Sequence, residues 1–174
     1  MDPALSFDPA LLVMGVLSVC RDGEPDLAEQ LSLRFGEIEL VSSRWKFGWT
    51  DYYEREMGSG IDRYFLLFRT PVDPQDLPDI KLFTNDVEQQ WAAAGGGRQF
   101  NLDPGLLTAH QLVLATTKNR AQRIALRRGI YGEVTLIFQK GGYQSLPWTY
   151  PDYRSGEYQE FFLAARRRVF SLLK

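Results

Sequence analysis

The sequence predicts an α+β fold, and two observations carry that expectation. Strand-like runs and helix-length apolar stripes alternate in the order strand, helix, strand, strand, helix, strand, strand, helix. At 174 residues, with 44% apolar and 13% aromatic side chains, the chain also has material for one continuous core. We therefore expect a single domain over residues 1–174, with a mixed β-sheet and helices mainly on one face, loosely a doubled βαβ or ferredoxin-like arrangement. Residues 1–9 are expected to form a flexible N-terminal tail.

Leu11 to Val19 is aliphatic and β-branched without alternation, which suits a strand covered on both faces. After the turn "RDGEP", Leu27, Leu31 and Phe35 recur at helical spacing from Asp26 to Phe35, and Gly36 supplies a stop. "EIELVSS" and Asp62 to Val72 read as strands, the second ended by prolines. From Pro74 to Ala94 the stripe Ile80, Phe83, Val87 and Trp91 predicts a helix with Pro78 in its first turn, stopped by "AGGG". "NLDPGLLT" carries the Asp-Pro-Gly signature of a turn. His110–Thr117 and Ile130–Phe138 follow as strands, the latter leading into the turn "QKGGY". A C-terminal helix is expected over 155–173, burying Tyr158, Phe161, Phe162, Ala165 and Val169.

Twenty basic and twenty-two acidic side chains give a net charge of -2, which argues against a DNA-coating protein. Their distribution is uneven. Six acids and one base lie between Met1 and Gln30, whereas Glu133 is the only acid between Pro104 and Pro151, against Lys118, Arg120, Arg123, Arg127, Arg128 and Lys140. Cys20 is the only cysteine, so no internal disulfide can form and a reducing, cytoplasmic setting is expected. The longest apolar run, Ala10 to Cys20, is too short to span a bilayer, and no membrane partner is expected.

Four polar clusters interrupt the apolar segments. "LVLATTKNRAQR" ends a strand in Thr116, Thr117, Lys118 and Arg123, the hydroxyls and cations that an anion needs. "LPWTYPDY" brings Trp148, Tyr150 and Asp152 into a proline-stiffened connector that reads first as a strap for the last helix and second as a pocket wall. In "NLDPGLLT", Asp103 is the first choice for a general base, with Glu133 second. "FGWTDYYEREMG" contributes Asp51 and Glu56, and these two with Asp103 and Glu133 are the carboxylates from which a Mg²⁺ site could be built, although their spacing does not require one.

Other chemistries lack their parts. One histidine and one cysteine cannot build a His-rich metal centre or a zinc ribbon, and no G-x-S-x-G elbow occurs. "TTKNR" has Arg120 where a GTPase base-reading Asp would stand, and no G-x-x-x-x-G-K-[ST] loop exists to cradle phosphates.

"TDYYEREMG", "IKLFTN", "NLDPGLLT", "LVLATTK", "GIYGEVTL" and "LPWTYPDYRSGEY", in that order, resemble the prokaryotic family catalogued as domain of unknown function 4416. The resemblance implies a single-domain prokaryotic protein, some of whose relatives carry a GTP-binding label that finds no support in these residues. The expectation is binding of an anionic small molecule, a nucleotide or phosphorylated metabolite, in a basic, aromatic-walled pocket, with catalysis left open. A non-catalytic protein-interaction module using the Arg166–Arg168 face is the alternative, and RNA binding by the basic strip the second.

Overall fold

The computed structural model describes residues 7–172. They form nine strands and four helices: β1 (Ala10–Ser18), α1 (Glu24–Phe35), β2 (Ile38–Val41), β3 (Trp45–Lys46), α2 (Glu54–Met57), β4 (Asp62–Val72), α3 (Leu77–Gln90), β5 (Phe100–Leu107), β6 (Gln111–Thr116), β7 (Ile124–Ala125), β8 (Tyr131–Gln139), β9 (Gly142–Ser145) and α4 (Gly156–Leu172). Most of the expected tail, residues 1–6, lies outside the described residues, as does residue 173 of the expected last helix. No helix among the described residues is long and apolar enough to cross a membrane.

All strands join one sheet in the order β2-β4-β1-β5-β6-β8-β7, with β3 on β4 and β9 on β8. Every pairing is antiparallel, which corrects the expected mixed sheet. The physical reason lies in the insertions: α1 links β1 to β2, but β4 pairs between them, and α3 links β4 to β5, but β1 pairs between those. The strands that α1 and α3 connect therefore never touch.

The helices divide between both faces. Leu27, Leu31 and Phe35 of α1, with Ile80 and Val87 of α3, pack on Leu12, Met14, Val16, Leu66 and Leu102. The opposite residues of the same strands, Leu11, Val13, Phe65 and Leu67, meet Tyr158, Phe161, Phe162, Ala165 and Val169 of α4. This period-two division is what buries β1 on both faces over its whole length. Phe65 stacks on Phe161 at 5.3 Å between ring centroids. Each fully buried ring of this kind contributes roughly 1.5–3 kcal/mol of transfer free energy.

The turn expected at Asp103-Pro104-Gly105 is a second correction. These residues lie inside β5, opposite Gly15, Met14 and Val13 of β1. Local turn propensity loses to an eight-residue register with the most buried strand of the sheet. Pro104 still acts as a breaker on the other edge: the β5–β6 ladder comprises only Gly105↔Leu114, Leu106↔Val113 and Leu107↔Leu112. A proline has no N–H to continue it. Between β8 and β9, Lys140 and Gly141 both have positive φ (52° and 83°), the geometry of a two-residue hairpin turn.

Candidate functional site

Beyond Gly105 the strands β5 and β6 part, and a cavity of about 1000 Å³ is lined by both. That volume is at the upper end of ordinary small-molecule pockets, roughly 300–1,000 Å³. Here the backbone of Leu102 has no strand partner on the β6 side. Helix α3 supplies substitutes: Leu102 N–H donates to Glu88 Oε1 (2.6 Å) and Leu102 O accepts from Lys81 Nζ (2.8 Å). Lys81, Asn85 and Glu88 form a polar stripe at helical spacing that faces the cavity while Ile80 and Val87 face the core.

The floor crosses three strands. Arg63 of β4 reaches over β1 to Asp103 of β5, Nη1 to Oδ2 3.2 Å, and its Nη2 lies 3.5 Å from Asp152 Oδ2. The crossing needs Gly15, because a Cβ there would stand 2.8 Å from Arg63 Nη1 and 3.2 Å from the Tyr153 hydroxyl. Asn101 Nδ2 donates to the same Asp103 oxygen at 2.9 Å, and its own Oδ1 accepts from Arg98 Nη1 at 2.8 Å. Arg98 is also paired with Glu88 and, through Nε and Nη2, with Glu56 of α2.

Burial opposes the charge on Arg63, but the carboxylates of Asp103 and Asp152 beside it help hold the guanidinium pKa above its usual value. Burial pushes Asp152 and Glu88 above the usual carboxylate range, with Arg63 and Lys81 respectively offsetting part of the rise. The Arg98 hydrogen bond holds Glu56 below that range. Burial likewise raises Tyr153, so its phenol stays protonated. Three floor atoms, Arg63 Nε, Asp152 Oδ2 and Tyr153 Oη, have no hydrogen-bond partner among the described residues. Buried polar groups are rarely left so, and a solvent or ligand atom is their natural complement.

The rim comes from loops. Thr116 closes β6 and accepts from the Lys118 N–H (3.2 Å), while Lys118 Nζ donates to the Tyr52 hydroxyl (2.9 Å) and lowers its pKa. Trp148 and Tyr150 also line the cavity at 39% and 44% exposure, and Trp148 Nε1 donates to Val134 O (2.8 Å). The "LPWTYPDY" segment is both strap and wall: Thr149 pins it to β8 through Thr135 O (2.6 Å), and Asp152 and Tyr153 turn inward.

Thr116, Thr117, Lys118, Arg123, Trp148, Tyr150 and Asp152 thus all line one cavity, together with Asp103 and Glu133. Their states differ from the expectations. Arg123 is not a spare cation: Nε donates to Glu133 (2.7 Å), Nη1 to Lys118 O (2.8 Å) and Nη2 to the Tyr150 hydroxyl (2.9 Å). Glu133 is correspondingly buried and occupied by Arg123 and Gln122. Asp51 does not line the cavity, Glu56 is held by Arg98, and no group of three or more metal-ligating side chains occurs among the described residues.

Sequence reasoning passed over Arg63, Glu88 and Arg98, and met Lys81 and Asn85 only within the block "IKLFTN", without a role. Arg63 was visible as a lone charge in "DRYFLLF", and residues 81, 85 and 88 as a polar helical stripe.

No curated protein and no solved structure matches the chain. A family model does match, over residues 8–169, so a cavity built from β4, β5, β6, α3 and the aromatic strap lies within the matched span, and the chain belongs to the family described as domain of unknown function (DUF4416).

Proposed function

We propose that this chain binds an anionic small molecule, a nucleotide or phosphorylated metabolite, in the cavity between β5 and β6. One observation carries the reading. Among the described residues Lys118 and Arg120 line the mouth without a carboxylate partner, beside the hydroxyls of Thr116 and Thr117, whereas every other arginine of the lining is already paired. Lys and Arg with hydroxyls bind phosphate or carboxylate oxygens by charge-assisted hydrogen bonds. Tyr52, Trp148 and Tyr150 offer flat faces to a base or sugar. Arg123 takes a supporting part, since its three bonds fix the Lys118 loop against the strap.

If the protein is an enzyme, Asp103 is the better base. Both its bonds fall on Oδ2, which leaves Oδ1 facing the cavity, while Glu133 is tied to Arg123. The interaction-module and RNA readings have less support. Arg166 is sandwiched between Phe138 and Phe170, and Arg168 pairs with Glu39. In the basic strip, Arg127 and Arg128 both pair with Asp79. The interleaved helix crossovers of β1, β2, β4 and β5 support a ferredoxin-like origin for the first part of the sheet, and the lone Cys20 supports a cytoplasmic setting.

A thermal-shift panel of nucleotides and phosphorylated metabolites tests the proposal. At least one compound should raise the melting temperature of the wild type, and Lys118→Ala with Arg120→Ala should remove that rise. An unchanged rise in the double variant would overturn the site.

A further inference from the structure

The two ends of the cavity do not share one chemistry. At the rim, Lys118 and Arg120 have no carboxylate among the described residues. At the floor, two carboxylates, Asp103 and Asp152, share the single buried Arg63. A phosphate pushed to the floor would meet both carboxylates at close range, and like charges there would oppose it. The floor instead offers open acceptors. Asp103 Oδ1 carries no bond, because Arg63 and Asn101 both address Oδ2. Among the described residues Asp152 Oδ2, 3.5 Å from Arg63 Nη2, and the Tyr153 hydroxyl make no hydrogen bond, with only 4% and 2% of their residues exposed.

An apolar or aromatic group pressed onto these atoms would leave them unsatisfied, at a cost characteristic of buried polar groups. Hydroxyl groups suit all of them: each can donate to Asp103 or Asp152 and accept from Tyr153 or from Arg63 Nε.

Resting on the anion-binding reading above, we infer that the ligand is a sugar phosphate or a closely related phosphorylated polyol. Its hydroxyls sit on Asp103, Asp152 and Tyr153, and its phosphate sits at Lys118 and Arg120. Tyr52, Trp148 and Tyr150 line the same cavity, and aromatic faces suit the C–H face of a sugar.

Isothermal titration with ribose 5-phosphate, glucose 6-phosphate and inorganic phosphate tests this directly. At least one sugar phosphate should bind tenfold or more tightly than inorganic phosphate. Asp103→Asn and, separately, Tyr153→Phe should remove most of that advantage while leaving phosphate affinity within about twofold. Tyr153→Phe deletes a hydroxyl with no protein partner, so it keeps the comparison meaningful even if Asp103→Asn disturbs Arg63. Sugar phosphates that bind no more tightly than phosphate, or an advantage that survives both variants, would overturn the inference. In that event, phosphate affinity that still falls in Lys118→Ala/Arg120→Ala would leave the anion site standing. A wild type that binds none of the three would overturn the sugar-phosphate inference, and the nucleotide members of the thermal-shift panel would then decide the anion site.

Discussion

The two edges of β5 meet different fates. On one side, all eight residues from Phe100 to Leu107 pair with β1; on the other, only Gly105 to Leu107 pair with β6. Where the second ladder is missing, backbone groups are satisfied by Glu88 and Lys81 rather than by a strand, and the gap becomes a cavity. A sheet can therefore carry an internal cleft without orphaned backbone, provided a neighbouring helix lends polar side chains to the exposed edge. The cost is that the cleft floor rests on charged groups whose removal should be felt throughout the fold.

The largest effect is expected from Arg63→Leu, which leaves Asp103 and Asp152 buried without their cation; breaking such a pair typically costs about 3–5 kcal/mol. Urea denaturation should show that loss. Glu88→Ala attacks the substitute ladder itself, stranding the Leu102 N–H, and should cost about 1–3 kcal/mol by the same measurement. Gly15→Ala probes the crossing of Arg63 over β1, and overpacking there should cost about 1–3 kcal/mol.

Two carboxylates should respond to pH with opposite sign. Arg98 depresses Glu56, so its contribution to stability is present above the ordinary glutamate range and lost as pH falls through the depressed folded value. The melting temperature of Glu56→Gln should lie below wild type at pH 7 and converge with it at strongly acidic pH. Burial raises Asp152, so the folded state holds that proton more tightly than the unfolded chain. Its ionisation therefore costs stability as pH rises from the ordinary aspartate value through the raised one. Between pH 4 and pH 7, thermal melts should shift progressively in favour of Asp152→Asn relative to wild type. At the rim, Lys118→Ala should change stability least, within about 0.5 kcal/mol, since the side chain is exposed and bonds only a tyrosine hydroxyl.

The rim was legible in the sequence because its residues are neighbours there. Thr116, Thr117 and Lys118 follow one strand, and Trp148 and Tyr150 share one connector. β4 occupies the expected span from Asp62 to Val72, because eleven residues of strand-forming chemistry leave little else to adopt. Of the floor, Asp103 and Asp152 were named from the sequence, but their convergence on Arg63 was not legible. Arg63 and Asp103 are 40 residues apart and only the strand order brings them together, while Arg98 and Glu56 are 42 apart. Asp-Pro-Gly misled for a related reason: its turn propensity is local, while the register that overrides it comes from β1, some ninety residues upstream. The pairing of Arg123 with Glu133 was equally hidden, since residue type alone does not show whether a cation is already occupied.

Backbone amide chemical-shift mapping during a titration with pyrophosphate tests the central claim most directly. The account predicts perturbations concentrated at Thr116 to Arg120 and at Tyr52, saturating with added ligand. Shifts absent there, or confined to the separate basic group at Arg21 and Lys46 around Asp62, would contradict it.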